Sequence, residues 1–132
     1  MSKLRKRKGT ATVELAVAMP LLLVFIFGGM EAANGIFLKQ AMTISASAYE
    51  TAKMASTVGI TTQEARNRGQ RLLDARGFGA ANININPPDT TNLPPGASIT
   101  VTVSGPSNLN AMSPILLFAG SEVSAQIVMR KN

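Results

Sequence analysis

Apolar and polar positions along this chain change their rhythm several times, and each rhythm predicts a different element. From Ala11 to Met30 the chain is apolar for 20 residues, broken by one charge, Glu14, and one proline, Pro20. A run of this length is what a helix needs to cross the hydrocarbon core of a bilayer. From Glu31 to Val58 the period becomes that of an amphipathic helix. Phe37, Ala41, Ile44, Ala48, Ala52 and Ala55 recur at steps of three or four, and Lys39, Thr43, Ser47, Glu50 and Lys53 form the polar side. A helix unbroken from Thr10 to Thr57 spans roughly 72 Å at about 1.5 Å per residue, with Gly59 as its stop. Its stripe is mostly alanine and suits close packing on a sheet or another helix.

A second helix is announced by Thr61-Thr62-Gln63-Glu64, where Thr61 and Glu64 have the spacing of a capping box. It is expected to end near Arg76, before Gly77. Its charges, Arg66, Arg68, Arg71, Asp74 and Arg76, read as a solvated face or as a contact for an acidic partner or lipid headgroups. The period then shortens to two. Asn82-Ile83-Asn84-Ile85-Asn86 alternates and is ended by Pro87-Pro88, and four prolines between Pro87 and Gly96 mark a loop. Ile99, Val101 and Val103 alternate with threonines, and Gly105-Pro106 closes that strand. Val123, Ala125, Ile127 and Met129 alternate again. Between these strands, Ile115-Leu116-Leu117-Phe118 is too short to span a membrane and reads as core, a turn of helix or an exposed patch. The periods predict an α+β protein: a long N-terminal helix, a short second helix, and a small antiparallel sheet of about three strands packed on the long helix.

Charge sharpens the picture by where it sits. The chain carries 13 basic and 7 acidic side chains, a net +6. Lys3, Arg5, Lys6, Arg7 and Lys8 supply five of the cations; without them the count is 8 against 7, a net +1. The basicity belongs to a leader, not to a nucleic-acid-binding face. By the positive-inside rule it holds the N-terminus in the cytoplasm and sends the remainder outside, a single pass.

Composition removes most catalysis. There is no His, Cys or Trp, hence no zinc site of the usual kind, no thiol nucleophile and no Ser-His-Asp triad. Glu64, Asp74, Asp89 and Glu122 are scattered, with no acid–base pair on a single element, and Gly77-Phe78-Gly79 has no third glycine for a phosphate loop. The expectation is a non-enzyme with no cofactor, metal, nucleic acid or small-molecule substrate.

Glu14 leaves three readings of the leader. A secretory signal would end in a small-residue site, for which Gly28-Gly29 could pass. A plain anchor would leave Glu14 wet at the interface. The third gives an ionisable group inside a span a function. Gly28 and Ala32, or Gly29 and Ala33, have the spacing that lets helices approach closely, although paired glycines also suit the point where a helix leaves the membrane.

The short basic leader, Gly9, and Glu14 at the fifth place after it resemble the class III signal of type IV pilin-like proteins. The run Lys8-Gly9-Thr10-Ala11-Thr12-Val13-Glu14-Leu15-Ala16 with Pro20-Leu21-Leu22 is most similar to TadE-like proteins of the tight-adherence (Tad, or Flp) pilus system. Leu15 stands where the family more often has Phe.

The resemblance implies cleavage of the Gly9–Thr10 bond by a prepilin peptidase, leaving the apolar helix as anchor and assembly element. Domains follow as 1–9, a cleaved leader; 10–30, the transmembrane assembly helix; 31–76, an extramembrane helical region; and 77–132, a small β-rich region. It also implies a minor pilin, single-pass in a bacterial inner membrane with the N-terminus inside, serving pilus assembly and adherence. Its partners would be the peptidase, a major pilin, other minor pilins and an inner-membrane platform. Gly9 and Thr10 would be the processing site, and Glu14 and Pro20 assembly residues. A pseudopilin of a secretion system and an unprocessed anchor presenting a small interaction domain are the alternatives.

Overall fold

The computed structural model describes residues 6–107 and 121–132. The expectation for Ile115–Phe118 and the basic residues before Lys6 lie outside these. Five elements follow in order: α1 (Lys6–Ser56), α2 (Thr62–Ala75), β1 (Asn82–Asn86), β2 (Ser98–Pro106) and β3 (Glu122–Arg130). This is the α+β layout that the periods predict. Met1–Gly35 and Ile36–Asn132 form two separate compact units.

Helix α1 has 51 residues and contains Pro20. It starts at Lys6, four residues before the expected Thr10, so the last basic residues and Gly9 are helical too. It ends at Ser56, and Gly59 follows with a φ of +80°, a left-handed backbone that glycine adopts without steric cost. Helix α2 carries the anticipated capping box. The Glu64 amide donates to Thr61 Oγ1 at 3.2 Å, and the Thr61 amide donates to Glu64 Oε2 at 2.9 Å. Two of the helix's orphan amides are satisfied this way. Gly77, at a φ of +68°, follows the Arg76 cap.

The three strands form an antiparallel sheet in the order β1-β2-β3. Register places Ile83 beside Val103 and Val103 beside Ala125, then Ile85 beside Val101 and Val101 beside Ile127. Alternation sends these side chains to one face. There Ile83, Ile85, Ile99, Val101, Val103 and Val123 join Ile44, Ala48, Ala52 and Ala55 of α1, Ala65 and Leu73 of α2, and Phe78 in one buried cluster. The alanine stripe packs as expected. Gly105 of β2 lies under the Phe78 ring; a Cβ there would come within 2.7 Å of Phe78 Cε1.

Two expectations about α1 are corrected. Thr43 and Ser47, assigned to the polar side, are buried, and Phe37, assigned to the apolar stripe, is 43% exposed. At Ser47 the cause is α2. A Cβ on Gly69 would meet Thr51 Oγ1 and would lie 3.1 Å from both Ser47 Oγ and Ile83 Cδ1. Ser47 Oγ donates to the Gly69 carbonyl at 3.1 Å, so hydroxyls and a bare glycine allow the helices to come close. Phe37 precedes Gln40, the first buried residue of α1 among those described. Gln40 Nε2 donates to the Ser107 carbonyl at 3.1 Å, and Ser107 Oγ donates to Gln40 Oε1 at 2.7 Å, which ties the end of β2 to the helix.

Candidate assembly helix

Every residue of α1 from Gly9 to Ala32 is exposed. They include Val13, Leu15, Val17, Met19, Leu21, Val24 and Phe25, the last at 72%. Apolar surface in water is unfavourable by about 25 cal/mol per Å². A bare stripe of this extent therefore calls for lipid or for other apolar helices. By length and composition α1 can cross a membrane.

The four residues singled out by the sequence all stand on this helix. The Gly9–Thr10 bond lies inside α1, three residues after its start, and a Cβ on Gly9 would meet nothing within 4 Å. Thr10 and Glu14 are four positions apart, one above the other on one face, and Glu14 is exposed. Pro20 follows six positions on, and α1 continues through it. The Gly9–Thr10 bond and Glu14 thus lie within about two turns of one helix, brought together by local sequence alone.

Past the apolar stretch, Leu38, Met42 and Tyr49 recur on one side of α1, between 49% and 58% exposed. The alanine pattern drew attention away from them, although their spacing of four and seven was available to find them.

The second unit carries little that resembles a reaction centre. Among the described residues, no three His, Cys, Asp or Glu side chains come together as a metal site would require. Asn67, Gln70 and Arg71 line a shallow, open depression on α2. Two exposed carboxyls are held below their ordinary range. The backbone amide of Thr61, followed by its hydroxyl, stabilises the charged form of Glu64. At Asp89 the backbone amide of Thr91, 2.9 Å away, is the main cause. Both are local caps. Arg68 Nε lies 3.7 Å from Glu50 Oε2, linking α2 to α1 at the surface.

Residues 9–52 match the model of the TadE-like protein family, in agreement with the resemblance carried by the leader and helix. The match begins at Gly9 and ends inside α1. No curated protein and no solved structure matches this chain.

Proposed function

We propose that this chain, TadE-like over most of α1, is a non-enzymatic minor pilin-like protein of Tad/Flp pilus assembly. It inserts with its N-terminus inside, is cut after Gly9 by a prepilin peptidase, and associates laterally through its apolar helix. The observation that carries this reading is a family match that starts at the processing glycine and runs along a helix whose apolar residues are exposed.

Glu14 gives that association its stagger. Cutting before Thr10 creates an α-ammonium within about one turn of Glu14. A carboxylate among apolar helices is costly unless it is paired, and the Thr10 ammonium of an adjacent subunit is a partner of the right charge. The uncut chain has no such ammonium and keeps its cations, so processing gates assembly.

One observation favours the unprocessed anchor instead. Helix α1 runs from Lys6 straight through the Gly9–Thr10 bond. The intact mass and N-terminal sequence of membrane-extracted protein from its native host separate the readings. A chain starting at Thr10 is expected; a chain starting at Met1 or Ser2 overturns processing, and a start near residue 30 overturns the anchor. In the same host, Glu14→Leu is expected to insert and be cut but not to assemble. Normal assembly of that variant sinks the role given to Glu14.

A further inference from the structure

The core stripe of α1 extends one turn beyond the core that covers it. Phe37, Ala41 and Ile44 follow at steps of four and three and so share a face of the helix. Ile44 is fully buried and Ala41 packs partly against the cluster, yet Phe37 is 43% exposed. An aromatic side chain on the core face leaves apolar area to be covered, at about 25 cal/mol per Å². Phe37 belongs to the second unit, Ile36–Asn132, whose core it adjoins.

What can cover it follows from the direction of β2 and from where the chain outside the described residues begins and ends. Strand β2 starts beside the end of α1. There the Lys131 amide donates to the Ala97 carbonyl at 2.8 Å, and the Lys131 ammonium donates to the Ala55 carbonyl at 3.1 Å. It finishes beside Gln40, which exchanges two hydrogen bonds with Ser107. Strand β2 therefore runs opposite to α1. Its line, carried past Ser107, leads from Gln40 towards Phe37, three residues or about 4.5 Å back along the helix. Both ends of the segment 108–120 are held at that point, since the Ser107 amide donates to the Ser121 carbonyl at 2.9 Å. None of the thirteen residues in this segment is charged, so burial costs no desolvated ion. Ile115, Leu116, Leu117 and Phe118 precede Ser121 by six to three residues, a reach of at most about 20 to 10 Å.

We propose that Ile115, Leu116, Leu117 and Phe118 pack on Phe37 and extend the core of the second unit by one turn of α1. The run is tethered at both ends within a turn of its target, which gives it a high effective concentration there that a second copy must match. The pairing of β2 with β3 has already brought those ends together, so little further loop entropy is lost. This contact lies within the second unit and is independent of processing and assembly.

The chain has no tryptophan, so Phe37→Trp gives a fluorophore that reports on this spot alone. In the full chain, purified in detergent, its emission is expected to be blue-shifted and weakly quenched by iodide. Adding Ile115→Ser, Leu116→Ser, Leu117→Ser and Phe118→Ser together is expected to move the emission to the red and to raise the quenching. Tyr49 is 49% exposed and stands about 18 Å further along α1. Tyr49→Trp is therefore expected to give the same emission with and without the serines. A Phe37→Trp signal that the serines leave unchanged overturns the contact, because a second copy or the detergent is then the cover. Each serine is also introduced singly, which keeps the comparison valid where the fourfold variant fails to fold. Failure of every single serine to redden Phe37→Trp while sparing Tyr49→Trp overturns the contact as well.

Discussion

Lys131 is 4% exposed, and its ammonium is placed where α1 runs out of amides. Nζ donates to the Ala55 carbonyl at 3.1 Å and to the Thr57 carbonyl at 3.0 Å. Those carbonyls lie at the negative end of the helix dipole, where a cation is favoured, and Asn132 adds a backbone bond to the Ser56 carbonyl at 3.0 Å. Replacing Lys131 by Met keeps the stem and leaves these acceptors short of a donor. The expected loss is about 1–3 kcal/mol, read as a lower denaturant midpoint at neutral pH; an unchanged midpoint removes the cap from the account. A pH dependence follows at Glu64. Its folded pKa is lowered by the Thr61 amide and hydroxyl, so its contribution is present above the ordinary carboxylate range and fades as pH falls through the lowered value. Glu64→Gln should therefore weaken the fold at pH 7 and flatten the acid limb of the stability curve. An acid limb identical to that of the parent chain contradicts this. The capping box was legible in the sequence because both partners lie within four residues. Lys131 was not, because its acceptors are 74 and 76 residues away and no local pattern marks them.

At the scale of elements, α1 and α2 meet at Gly69. Gly69 has no room for a methyl beside Thr51, Ser47 and Ile83, and Thr51 Oγ1 is buried without a hydrogen-bond partner. Gly69→Ala is expected to destabilise by about 1–3 kcal/mol through overpacking. Thr51→Ala clears the nearest obstruction and deletes the orphan hydroxyl, so the glycine substitution should be milder in that background. A double-mutant cycle by chemical denaturation should return a coupling of about 0.5–3 kcal/mol; additivity would mean that the helices separate freely at this point. Periodicity found α1, α2 and all three strands because each has one apolar face and one wet or small-residue face. It could not tell whether the Thr43 and Ser47 side faces water or a second helix, since small hydroxylated residues suit both. Strand order was also beyond it, and was decided by tertiary pairing of β2 between its neighbours. The candidate site was legible for the opposite reason. Gly9, Thr10, Glu14 and Pro20 are neighbours in sequence on one helix and need no fold to bring them together.

For the whole molecule, the separation into two compact units has a direct consequence. Among the described residues, every buried apolar side chain lies between Ile44 and Val123, and the partly buried ones extend the cluster only to Ala41 and Met129. None comes from the apolar stretch before Ile36, the start of the second unit. Among the described residues this core draws nothing from that stretch, whose side chains are exposed from Gly9 to Ala32. A fragment comprising residues 36–132 should be soluble, retain helical circular dichroism and unfold in a single cooperative thermal transition. It should also be monomeric at micromolar concentration, because most of the exposed large apolar side chains lie before Ile36 and are absent from it. Sedimentation and a thermal melt check the two halves of this expectation. A gradual melt with dye-binding apolar surface, as in a molten globule, would mean that the fold depends on the apolar half of α1 after all. A cooperative monomer would mean that the second unit folds by itself and takes nothing from the apolar half of α1 for its core.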